Sequence, residues 1–186
     1  MFIGAYWDAR KESRQHCAVR ISSILSSLAQ VHVELSAWCL KGRSKKTASK
    51  AVGVLPEEIE ALLRTNNRDS DGSAISELGF NVGMWNGSDR FPCSLTVTCG
   101  GYAQSLKNSV VLQLPEDKDV LSQAETRKIL ECIIAAFDPE HALVTSHQFI
   151  DHCGGGPPWE AGGWLVYRRS DGIENIELHG TFGLVS

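Results

Sequence analysis

Hydrophobic positions along the chain change their period several times, and each change marks an element. Phe2 to Trp7 is a short apolar and aromatic run, the mark of a buried strand. From about residue 12 to residue 29 the period becomes helical. Cys17, Ile21, Ile24, Leu25 and Leu28 fall on one stripe, with Arg14, Ser22, Ser26 and Gln30 on other faces. Residues 33–41 read as a strand ended by Gly42, and Ser44 to Val52 as a short helix. Leu55-Pro56-Glu57-Glu58 has the composition of a helix start, because proline suits the first turn and acidic side chains meet the positive end of the helix dipole. Ile59, Leu62 and Leu63 give that helix an apolar face, and Asn66-Asn67 ends it.

Residues 67–73 are polar turn formers and read as an exposed loop. Three strands follow, from Gly79 to Trp85, Ser94 to Cys99 and Val110 to Leu114, the first closed by the turn Asn86-Gly87-Ser88-Asp89. In the middle strand Leu95, Val97 and Cys99 alternate with Ser94, Thr96 and Thr98, so one face is apolar and the other polar. Ser122-Gln123-Ala124-Glu125 matches a capping box, in which Ser and Glu satisfy each other's free backbone donors. That helix is predicted to run to Phe137, burying Leu130, Ile133, Ile134 and Phe137, before Asp138-Pro139 stops it. His141 to Ile150 reads as a strand and the run from Gly154 to Pro158 as a loop. Trp164 to Arg169 and Ile176 to Val185 read as a closing hairpin around Ser170-Asp171-Gly172. Consecutive hairpins predict an α+β fold, a mainly antiparallel sheet with helices packed against it, as a single domain over residues 1–186.

Composition narrows the function more than the fold. Apolar residues make up 42% and charged residues 22%, an ordinary globular balance, and the formal net charge is −4. A protein whose main partner is nucleic acid is usually strongly basic, so direct nucleic-acid binding is not expected. The densest basic stretch, Arg43, Lys45, Lys46 and Lys50, reads as a solvated face. The six cysteines form no C-x-x-C pair and sit in apolar stretches, where cysteine behaves as a small hydrophobe. The first residues lack a signal-peptide pattern, and no window approaches the roughly 18 apolar residues of a membrane span. The expected setting is the cytoplasm with reduced thiols, no membrane contact, and a monomer or weak homodimer.

Each candidate for chemistry lacks an element that its mechanism requires. His141, His147, His152 and Cys153 lie close in sequence, with His141, Thr145 and His147 on one face of the predicted strand. They come without the second cysteine pair or H-E-x-x-H helix that zinc sites favour, so no metal and no cofactor is expected. The glycines 154–156 precede two prolines and Trp159 instead of the Lys of a phosphate loop. No Gly-x-Ser-x-Gly elbow occurs, and His16 and Cys17 are helix neighbours that do not face each other. The enzyme alternative is therefore a small hydrolase or transferase whose Cys/His pair assembles only in space. The acidic groups Glu57, Glu58 and Glu60, and Glu116, Asp117 and Asp119, read as helix-start and solvated loop residues. Of the five tryptophans, Trp7, Trp38, Trp85 and Trp164 fall in predicted strands and read as core, while Trp159 sits beside the glycine loop.

Several of these segments together resemble a known family. Ala5-Tyr6-Trp7-Asp8-Ala9-Arg10-Lys11-Glu12-Ser13 resembles the Tyr-Trp-x-x-Arg-x-Glu-Ser start of the immunity protein 52 family. The helix from Cys17 to Leu28, then Leu35-Ser36-Ala37-Trp38 with a later glycine, and the stretch from Phe80 to Gly87 continue the likeness. Gly162-Gly163-Trp164-Leu165-Val166-Tyr167 is similar to the family's Gly-Trp-x-x-Tyr element. The resemblance implies a non-catalytic antitoxin-like protein that binds a cognate toxin in the cytoplasm. That toxin is typically a nuclease with a restriction-endonuclease-like fold, among polymorphic toxins that include type VI secretion effectors. A DNA-cutting toxin is expected to offer a basic face, so the expected contacts are acidic or exposed aromatic: Asp69, Asp71, Asp89, Trp159 and Glu160.

Overall fold

The computed structural model describes residues 1–42, 50–63, 75–104, 106–115, 121–153, 155–170 and 173–178. Among the described residues, eight strands form one sheet: β1 (Phe2–Trp7), β2 (Cys39–Leu40), β3 (Phe80–Trp85), β4 (Ser94–Cys99), β5 (Asn108–Gln113), β6 (His141–Thr145), β7 (Leu165–Ser170) and β8 (Ile173–Leu178). Their spatial order is β2-β3-β4-β5-β1-β6-β7-β8, and every neighbouring pair is antiparallel. The helices are α1 (Arg14–Val31), α2 (Pro56–Leu63), α3 (Gln123–Phe137) and the short α4 (His147–His152) and α5 (Pro158–Ala161). The fold is α+β, as the hairpin pattern predicts. β1 enters the sheet between β5 and β6, so the first strand is central and its signature end is surrounded by structure.

One face of the sheet carries the core. Ile3, Ala5 and Trp7 of β1, Leu95, Val97 and Cys99 of β4, and Val110 and Leu112 of β5 meet the predicted stripe of α1 and Ile129, Leu130, Ile133 and Phe137 of α3. The alternation read for residues 94–99 is the observed one, since Leu95, Val97 and Cys99 are buried and their neighbours half-buried. The capping box also forms. Ser122 Oγ accepts from the Glu125 N–H at 3.2 Å, and the Glu125 carboxylate accepts from the Ser122 N–H at 2.8 Å. Ser122→Ala should cost about 1 kcal/mol, seen as a lower urea midpoint with an unchanged slope.

The structure corrects several boundaries. Residues 33–41 hold only the two-residue β2. Before it, Val33–Leu35 is a 3-10 turn, held by Ser36 Oγ on the Val33 carbonyl at 2.6 Å and by the Trp38 indole N–H on the Leu35 carbonyl at 3.0 Å. These local bonds give the backbone an alternative to a ladder. The predicted helix from Ser44 to Val52 is extended where it is described: Ala51 bridges Cys39 and the Val52 N–H reaches the Trp38 carbonyl, while residues 43–49 lie outside the described residues. The first helix, read as about residues 12–29, runs from Arg14 to Val31, its start set by Ser13 Oγ, which accepts from the His16 N–H and caps it. The strand predicted from His141 to Ile150 stops at Thr145. Ser146 then caps α4 through the Phe149 N–H at 3.1 Å, so His147 leaves the strand face it was expected to share with His141 and Thr145. The closing hairpin is present with β8 starting at Ile173. Its turn residues 171–172 and the stretch 179–185 lie outside the described residues.

Candidate functional site

The segment from Trp7 to Ser13 forms a charged joint between two helices. Helix α3 ends at Phe137 with Asp138 in a left-handed conformation (φ 49°), leaving its last carbonyls pointing outward. Arg20 from α1 donates to the Ala136 carbonyl at 2.6 Å. Arg10 donates to the Phe137 carbonyl at 2.6 Å and the Asp138 carbonyl at 3.1 Å. Arg169 from β7 reaches the same Asp138 carbonyl at 2.6 Å and pairs with the Asp138 carboxylate. Three guanidinium groups thus sit on the negative end of the α3 dipole, where cations are stabilised. Glu12 balances two of them, at 2.8 Å from Arg20 Nε and 3.4 Å from Arg10 Nε. Arg10 also lies over the Trp7 ring, 5.0 Å from its centre, and that ring packs on Phe137. Burial, opposed by Glu12, holds the Arg10 guanidinium below the usual arginine range.

Tyr6 points to the other face of the sheet. There it joins Leu143, Val166, Val111 and Trp159 in a small second cluster. Trp159, on α5, packs its ring on Tyr6 at 5.1 Å, and Lys107 sits over the indole at 5.5 Å while pairing with Asp8. Burial pushes the Tyr6 phenol up to about 12. The Lys107 partner holds the exposed Asp8 carboxyl below the usual carboxylate range. Over β3, β4 and β5 this face is lined by half-buried residues such as Asn81, Thr96, Thr98 and Ser109.

Of the five expected contact residues, three are described, and they fall in two places. Asp69 and Asp71 lie outside the described residues. Asp89 is exposed in the β3–β4 connection, beyond the Trp85–Ser94 end of the hairpin. Glu160 is exposed beside Trp159, which is half-buried and packs against Tyr6. The strand register puts Ser94 level with Phe2 through Gln113, and Thr98 level with Tyr6 through Ser109. Four residues of strand, about 14 Å, therefore separate the end near Asp89 from the row that carries Trp159.

A family model described as immunity protein 52 matches residues 1–171. The chain belongs to the immunity protein 52 family. No curated protein matches it. The family-like residues can now be assigned physical roles. Trp7, Arg10 and Glu12 build the joint, and Ser13 caps α1. Phe80 to Gly87 is β3 and the start of its turn, where the Asn86 amide donates to the Phe91 carbonyl at 2.7 Å and its oxygen accepts from the Cys93 N–H at 3.1 Å. Gly163 passes so close to β6 that a Cβ there would stand 2.2 Å from the Val144 carbonyl oxygen. In this immunity protein these motif residues hold the fold together: the arginine joint, the β3 turn and the close approach of Gly163 to β6.

Among the described residues, Cys17, Cys93 and Cys99 are buried and not poised as nucleophiles. Cys17 is fully buried on α1 while His16 is exposed and 3.6 Å from Glu12. Burial pushes the Cys93 thiol up to about 12, and a hydrogen bond with Cys17, then burial, raises Cys99. A raised thiol stays protonated and is a poor nucleophile. Among the described residues no group of three or more His, Cys, Asp and Glu side chains has metal-site geometry. In native protein at pH 8, iodoacetamide should label exposed Cys153 and leave Cys17, Cys93 and Cys99 unmodified; peptide mass mapping checks this. Among the described residues, no helix is long and apolar enough to cross a membrane.

Proposed function

We propose that the chain is a cytoplasmic immunity protein that binds and neutralises a cognate secreted nuclease toxin. The toxin would be a type VI effector with a restriction-endonuclease-like fold, drawn from the polymorphic toxins, and residues 1–186 act as one domain. The family match across residues 1–171 carries the reading. Charge supports it, because a net −4 protein suits a partner whose surface is built to hold DNA. Immunity proteins of this kind act by occupying a surface, which calls for a well-packed scaffold and an exposed patch. Asp69, Asp71, Asp89, Trp159 and Glu160 are proposed contacts, with Trp159 engaging a partner only if it leaves Tyr6.

The test is co-expression with the toxin encoded by the neighbouring gene. Cells producing the toxin alone should die, and cells producing both should grow. Death despite normal levels of folded chain would overturn the reading.

A further inference from the structure

The start of α2 breaks a local rule at a solvent-exposed position. The Leu55 carbonyl accepts from the Glu58 and Ile59 N–H groups, both at 3.1 Å, so Leu55 occupies the N-cap position ahead of Pro56. N-caps are ordinarily Ser, Thr, Asp or Asn, whose side-chain oxygen accepts a free backbone N–H, and leucine has none. Glu58 supplies the other half of the motif, its Oε2 accepting from the Leu55 N–H at 3.3 Å. The capping box is therefore built from one side only. Packing does not compensate, because Leu55 is 58% exposed.

Leu55 has apolar company. Val54 is 42% and Val19 47% exposed. Val19 lies one turn before Ser22 on α1, and Ser22 Oγ donates to the Val54 carbonyl at 2.6 Å. Val54 and Leu55 therefore lie where the start of α2 meets α1, with Val19 one helical turn away along α1, and this exposed stretch is the seam. Exposed Glu57 and Glu58 border it, while Glu60 further along is occupied by Arg14 at 3.1 Å. Local rules broken without a structural gain tend to mark functional positions.

We propose that this seam is a toxin-docking surface, with Leu55 as its apolar anchor and Glu57 and Glu58 selecting a partner pocket rimmed by Lys or Arg. The inference rests on the immunity reading and deepens it by naming the surface. The carboxylates choose the occupant. A second copy in a two-fold contact would bring the same two glutamates onto the same seam, like charge against like, whereas a basic partner complements them.

Leu55→Ser in the full chain tests this, because the two roles of residue 55 then move in opposite directions. A serine completes the capping box, so the melting temperature should rise. Affinity for the toxin domain from the neighbouring gene, measured by titration calorimetry, should fall by about tenfold or more. Glu57→Lys should slow association and flatten its dependence on salt. A wild-type chain that binds the toxin, with a Leu55→Ser variant that binds it equally well, would overturn the surface and leave the immunity reading standing. A variant that loses self-association instead of toxin affinity would overturn it in favour of a homodimer. A wild-type chain that does not bind the toxin would overturn the immunity reading itself.

Discussion

Glu12→Ala should destabilise the chain by about 3 kcal/mol, among the largest losses expected from a single substitution here. The Glu12 side chain is 5% exposed and is paired with Arg20 at 2.8 Å and Arg10 at 3.4 Å. Removing it leaves two guanidinium groups facing each other, with Arg169 bound to the adjacent Asp138 carbonyl. Removing one partner of a buried pair generally costs about 3–5 kcal/mol. The lower end applies because Arg10 and Arg20 keep 27% and 19% of their side chains in solvent. Urea unfolding monitored by tryptophan fluorescence measures the loss. A change below about 1 kcal/mol, the ordinary worth of a surface pair, would show that water and not Glu12 neutralises the joint.

Trp7→Ala should cost as much or more, about 3–5 kcal/mol. The Trp7 ring is 2% exposed, packs on Phe137 at 5.6 Å and lies under Arg10. Truncation opens a cavity where β1, α3 and the arginine joint meet. Its indole N–H has no acceptor among the described residues, so Trp7→Phe forfeits no hydrogen bond and should cost far less than alanine. Thermal melts of the pair separate packing from polar loss. The two sites share Arg10, so the double variant Trp7→Ala with Glu12→Ala should lose less than the sum of the singles.

Much of this fold was legible because local and global preferences agree. Ser122 and Glu125 announce α3, and the alternation from Ser94 to Cys99 announces a half-buried strand; both depend on residues close in sequence. Where the reading failed, a short-range bond changed the backbone. Ser146 turned the end of a predicted strand into α4 by capping it, and Ser36 and Trp38 tightened residues 33–36 into a turn. Runs of that length have no period long enough to separate strand from helix.

The site was less legible for a different reason. The charged joint unites residues more than a hundred positions apart, Arg10 with Phe137 and Arg20 with Ala136, and a single sequence holds no sign of that pairing. Nor does the sequence show that Trp159, beside its glycine-rich stretch, rests on Tyr6. The seam at Leu55 left one readable trace, a leucine where a capping residue belongs, three positions before a glutamate.

Inhibition of the toxin by occupancy is the central claim, and a titration tests it most directly. Purified toxin domain cutting DNA would receive increasing amounts of this protein, with remaining nuclease activity as the readout. Inhibition by binding predicts activity falling in proportion to added protein and vanishing near molar equivalence, with the toxin recovered intact and active after denaturation and separation. Complete inactivation by a small fraction of an equivalent, or a toxin recovered covalently altered, would contradict it.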